Sequence, residues 1–83
     1  MKYDRIKELV DDERGRDLLY LIIGSLVSSD NLVDLESCEE SLEKANLFKK
    51  ASLESNIEYK DKYISLLDKV IPIIERDKKN YLK

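Results

Sequence analysis

Only three residues in this chain of 83, Gly15, Gly24 and Pro72, are strong breakers of regular structure. So few turn formers cannot build a domain of short strands and tight turns. The intervals between the breakers carry apolar residues spaced by three and four. That pattern predicts an all-α fold, a small bundle of three to four helices forming a single domain over residues 1–83. A chain of this mass buries about 64% of its unfolded surface, enough for one small core without a deep substrate cleft.

Tyr3, Ile6, Leu9 and Val10 mark a first helix, and Asp11, Asp12 and Glu13 stand where carboxylates favour the start of a second. Gly15 leaves open whether the two are continuous. The second helix carries Leu18, Leu19, Tyr20, Leu21, Ile22, Ile23, Leu26 and Val27. With almost no polar face, it is predicted to be the buried centre of the fold. Ser28-Ser29-Asp30-Asn31 reads as a turn. Leu32, Leu35, Cys38, Leu42 and Ala45 then form one apolar helix stripe, while Ser37 to Glu40 matches a capping box that would start the helix inside that stripe. Either a short turn covers Leu32–Glu36, the favoured reading, or Ser37 is simply exposed within the helix. Ser55 to Glu58 is a second capping box, opening a last helix marked by Ile57, Ile64, Leu67, Ile71 and Ile74. Run straight to Leu82 it would extend ~39 Å, against a radius of gyration of ~12 Å for a domain this size. The helix must therefore project or break, and Pro72 predicts a kink or break because its ring clashes with the carbonyl of Asp68.

The side chains that most chemistry needs are few. There is no His, which removes the commonest general base and the commonest zinc ligand. The single Cys, Cys38, lies on the apolar stripe with no imidazole to activate it and cannot form an internal disulfide. Adjacent carboxylates such as Asp11-Asp12 point about 100° apart on a helix and do not make an acid–base pair. No Gly-rich phosphate loop occurs. The expectation is a non-enzymatic protein with no catalytic residue, no cofactor and no metal. The charged N-terminus leads into no leader-like apolar run. The most apolar stretch, Leu18 to Val27, is half the ~20 residues a membrane span requires, so no membrane association and a cytoplasmic location are expected.

Charge is distributed unevenly. Residues 1–16 are balanced, the stretch from Asp17 to Glu43 holds seven acidic residues and no Lys or Arg, and residues 44–83 carry +4, within an overall −3. Glu36, Glu40 and Glu43 fall within about 60° of one another on a helix, with Glu39 beside them and Asp34 just upstream. A magnesium site on Glu36, Glu40 and Glu43 lacks the loop carbonyls and Asn or Gly that such sites use. Either the stripe is a solvated face neutralised by basic residues of the last helix, or it docks a protein partner through that partner's basic patch. A helix-turn-helix with Gly24 at the turn would use Ser28–Glu36 as its reading helix, a segment with three acidic and no basic side chains. The basic tail, Arg76, Lys78, Lys79 and Lys83 with Tyr81, reads as cations favouring a helix C-terminus, which makes nucleic acid an unlikely partner.

The apolar arc of the last helix is too wide for one neighbour, which points to a homodimer or partner groove along Tyr63, Leu66, Val70 and Ile73. Taken together, these features predict a small acidic interaction protein that regulates or inhibits a larger protein, as immunity proteins, antitoxins and phage-encoded inhibitors do. A dimeric nucleic-acid-binding regulator and a structural assembly subunit are the alternatives.

Overall fold

In the computed structural model, which describes residues 2–82, the chain folds into four α-helices, α1 (Lys2–Asp11), α2 (Arg16–Ser25), α3 (Leu35–Leu53) and α4 (Lys60–Tyr81), with no strand among the described residues. The all-α bundle is as the periodicity predicts. Lys83, assigned to the basic tail, lies outside the described residues. Among the described residues no helix is long and apolar enough to cross a membrane.

The helices α1 and α2 are separate. Asp12 takes an extended conformation and accepts a hydrogen bond from the Arg14 amide at 3.0 Å, capping a 3-10 turn over Glu13–Gly15 that redirects the chain. The helix α3 begins at Leu35, three residues earlier than a cap at Ser37 allows. Asp34 is the N-cap, its Oδ1 accepting from the Ser37 amide at 2.7 Å, while Ser37 Oγ accepts from the Asp34 amide at 3.0 Å. Ser37 thus belongs to a capping box, but at its third helical position. The Ser55–Glu58 box does not form. Ser55 is buried, donates to Asp11 Oδ1 at 2.7 Å and accepts from the Ile57 amide, so it ties the α3–α4 loop to the end of α1 while α4 starts at Lys60.

The two long helices, α3 and α4, pack most extensively against each other and build the core from Cys38, Ala45, Phe48 and Ala51 on one side and Tyr63, Leu67, Val70 and Ile74 on the other. Ile6 and Val10 of α1 and Leu19 and Ile23 of α2 complete the core from the flanks. The second helix is not its centre. It covers α4 with Leu19, Ile23 and the following Leu26, yet leaves Leu18 65% and Leu21 70% exposed, because nothing in so short a chain packs on its outer side.

Pro72 lies inside an α4 that continues as helix from Lys60 to Tyr81, so the predicted break does not occur. Twenty-two residues make about 33 Å of helix. The helix therefore projects, and the molecule measures 41 × 24 × 19 Å with a radius of gyration of 12.6 Å.

One core position is at odds with its surroundings. Ser52 on α3 is fully buried, and its Oγ has no hydrogen-bond partner. An orphaned buried hydroxyl costs about 1–3 kcal/mol, and Ala is the better helix former. Ser52→Ala is accordingly expected to stabilise the protein by about 1 kcal/mol, read as a higher urea midpoint at unchanged slope. A lower midpoint would show that the hydroxyl has a partner.

Candidate functional site

The structure puts the acidic stripe on the surface. Asp34, Glu36, Glu39, Glu40 and Glu43 are all exposed. They are not equivalent. Asp34 is committed to the α3 N-cap. Glu43 is paired with Lys2 at 3.2 Å, so the neutralising cation comes from α1 and not from the last helix. Glu36, Glu39 and Glu40 form no ion pair with any described Lys or Arg. Among the described residues no three His, Cys, Asp or Glu side chains converge where they could hold a metal ion, Glu36, Glu40 and Glu43 included.

The apolar interface expected on α4 is not a surface. Tyr63 and Val70 are 0% and 2% exposed, Leu66 is half-buried against the core, and only Ile73 reaches solvent at 36%. The wide apolar arc that seemed to call for a second chain is covered within the bundle, by α3 on one side and α2 on the other. Tyr63 anchors this packing. Its ring meets Tyr59 edge-on at 5.0 Å, Tyr59 meets Tyr20 of α2 at 6.2 Å, and the Tyr63 hydroxyl donates to the carbonyl of Arg16 at 3.3 Å. Burial, more than the neighbouring Tyr59 and Asp17, pushes the Tyr63 hydroxyl pKa up.

Other residues are tied into the fold. The Cys38 thiol is fully buried, and burial, with lesser contributions from Asp77 and Asp34, pushes its pKa up, away from the thiolate that reactive cysteines need. At the basic end of α4, the Tyr81 hydroxyl donates to the Leu32 carbonyl at 2.8 Å, and Arg76 Nε lies 3.9 Å from Asp77. Gly24 lies inside α2, and the stretch proposed as a reading helix is a 3-10 turn at Ser29–Asn31 followed by irregular chain. The helix-turn-helix geometry is absent.

Electrostatic ties close α1 onto α3. The Tyr3 hydroxyl donates to Glu54, a bond that, with partial desolvation and nearby carboxylates, pushes its pKa up to about 12, and the Lys50 ammonium sits 4.7 Å over the Tyr3 ring. Asp11, accepting from Lys7 and from Ser55, is held below the usual carboxylate range.

The surface that stands out lies elsewhere, on α2. Leu18, Leu21 and Ile22 fall on one face at helical spacing, 65%, 70% and 39% exposed, and Leu9 of α1 extends the face at 48%. The helices α1 and α2 meet only sparsely, and two clefts open beside them. Leu9 and Ile22 are a wall of both. The signal for this surface is present in the sequence as an apolar α2 with no polar face, a pattern that a buried helix and an exposed apolar ridge share. Compared with known proteins, the chain matches no protein-family model, no curated protein and no solved structure.

Proposed function

We propose that this protein is a non-catalytic binding module that regulates or inhibits a larger protein, and that it docks through the outer face of α2 with Leu9 beside it. The observation that carries the reading is the exposure of Leu18 and Leu21 within one continuous apolar ridge. Two leucines at 65% and 70% exposure on adjacent turns are an apolar patch of the kind that soluble proteins keep for partners. The unpaired carboxylates of Glu36, Glu39 and Glu40 contribute long-range charge that speeds encounter with a basic surface, in a supporting role to the apolar ridge. The reading places the protein in the cytoplasm, where the thiol of Cys38 stays reduced.

The test compares three tagged proteins in capture from the native host: the wild type, Leu18→Lys with Leu21→Lys, and the variant with Glu36, Glu39, Glu40 and Glu43 all changed to Gln. Loss of the captured partner by about tenfold or more in the leucine double variant, with folding retained by circular dichroism, is the expected result. The Gln variant is expected to keep most of its binding and lose part of its salt dependence. Undiminished capture by the leucine double variant would overturn the reading. A partner that proves to be a second copy, with the double variant monomeric by sedimentation, would keep the surface and change the occupant.

A further inference from the structure

The larger cleft, about 330 Å³, lies where α1 and α2 diverge above α3, with Ile6, Leu9, Ile22 and Leu26 as walls and Phe48 at its base. Every charged side chain lining it is a cation: Lys2, Arg5 and Lys44. Of these, Lys2 is shared with Glu43, while Arg5 and Lys44 form no ion pair with a described carboxylate. Asp4 and Glu8 fall around the far side of α1, about 100° or more from the direction of the cleft. The chain is acidic overall, so a rim of three cations around an apolar trough runs against its general charge. The smaller cleft, about 180 Å³, continues the trough past Leu9 and Ile22 toward Leu18; its one charged lining residue is Asp12, so the cationic rim belongs to the larger cleft alone. From Leu18 to Leu26 along α2 is about 12 Å, close to the spacing of two side chains seven or eight residues apart on a second helix. The larger cleft sits at the bottom of the roughly 300–1,000 Å³ range of sites for a drug-sized ligand, and the smaller falls below it. Two in line suit an elongated one.

Resting on the docking surface assigned to α2 above, we propose that the α1–α2 trough receives an amphipathic helix of another protein that carries carboxylates along one flank. Two of its apolar side chains, seven or eight residues apart, fill the two clefts. Its carboxylates meet Arg5 and Lys44 and compete with Glu43 for Lys2. The acidic face of α3 and the basic rim of the trough then adjoin at the Lys2–Glu43 pair with opposite preferences, and the trough selects the partner's helix.

A pair of model helices of about 18 residues tests this, one with leucines at heptad spacing and Glu along one flank, the other identical but with Lys in place of each Glu. Binding is followed by the methyl resonances of Ile6, Leu9 and Ile22 in the full chain. The Glu peptide is expected to shift these methyls and to bind at least about tenfold tighter than the Lys peptide, an advantage that shrinks with salt. Arg5→Glu with Lys44→Glu, both at exposed positions, is expected to reverse the preference. Equal affinity for the two peptides, or preference for Lys, overturns the charge assignment; if Leu18→Lys with Leu21→Lys still abolishes binding in that case, the α2 docking reading survives alone. Failure of both peptides to shift the methyls overturns both. Saturable binding of decanoate in the trough, with neither peptide competing, overturns the proposal in favour of a small anionic amphiphile.

Discussion

Tyr63→Ala is expected to cost about 3–5 kcal/mol, the range for truncating a buried aromatic. The ring is fully buried and packs edge-on against Tyr59 at 5.0 Å, and its hydroxyl satisfies the Arg16 carbonyl across the α2–α4 boundary. A domain of this length has a total stability of about 4–12 kcal/mol, so the variant loses a large fraction of it and either unfolds or shows a steeply lowered urea midpoint. Two companion variants make the result interpretable. Tyr63→Phe keeps the ring and removes only the hydrogen bond, an expected loss of about 1 kcal/mol. Ile73→Ala, on the same helix but 36% exposed, is expected to lose less than about 1 kcal/mol. Similar losses for Tyr63→Ala and Ile73→Ala would show that Tyr63 is not the core residue described here.

Pro72→Ala is expected to act in the opposite direction. Pro72 is solvent-exposed and sits inside α4, so its side chain contributes little packing while its ring opposes the Asp68 carbonyl and its nitrogen donates nothing. Pro is about 3 kcal/mol less favourable than Ala in a helix interior. Part of the gain is offset, since Pro also restricts the unfolded chain by about 0.4–1 kcal/mol. A net stabilisation of about 2 kcal/mol is expected, seen as a higher midpoint in urea and a higher melting temperature. A destabilised variant would mean that the proline ring itself helps to seat Ile71 and Ile74 on α3. Because no residue of α4 lines either cleft, the model-peptide affinities are expected to be unchanged.

The misplaced boundaries share one physical cause. Ser37 and Ser55 each match a capping box within four residues of sequence, and each has a nearby competitor that the pattern does not weigh. At Ser37 the competitor is Asp34, which is as good a cap and begins the helix early enough to place Leu35 and Cys38 on one face. At Ser55 it is the α3–α4 loop: the buried hydroxyl donates to Asp11, distant in sequence, and accepts from the Ile57 amide within the loop, while α4 starts only at Lys60. The break allowed for at Pro72 is absent for a related reason. Breaking a helix is a local preference of a few kcal/mol, and burial of Leu67, Val70 and Ile74 on both sides of the proline outweighs it.

The candidate site shows the limit more sharply. Apolar faces on α2 and α4 were both legible as faces. Which of them meets solvent was assigned the wrong way round, because a face is covered or not according to what else the chain can bring to it. The 19-residue α3 lies along the 22-residue α4 and, with α2, covers the Tyr63 and Val70 face. The ten-residue α1 is tied to α3 by Lys2 and to the start of the α3–α4 loop by Tyr3 and Asp11, and it leaves Leu18 and Leu21 largely uncovered.

From the sequence alone came the helical class, the single buried thiol, the scarcity of groups for catalysis and the solvent-facing acidic stripe, all of which depend on residue type and on spacing within a few turns. The tertiary structure decided the starts of α3 and α4, the continuity of α4 through Pro72, and the exposure of α2 beside a cation-rimmed trough. These depend on burial between segments far apart in the chain, where apolar area is covered by whichever helix is long enough and close enough to cover it, and no local pattern carries that information.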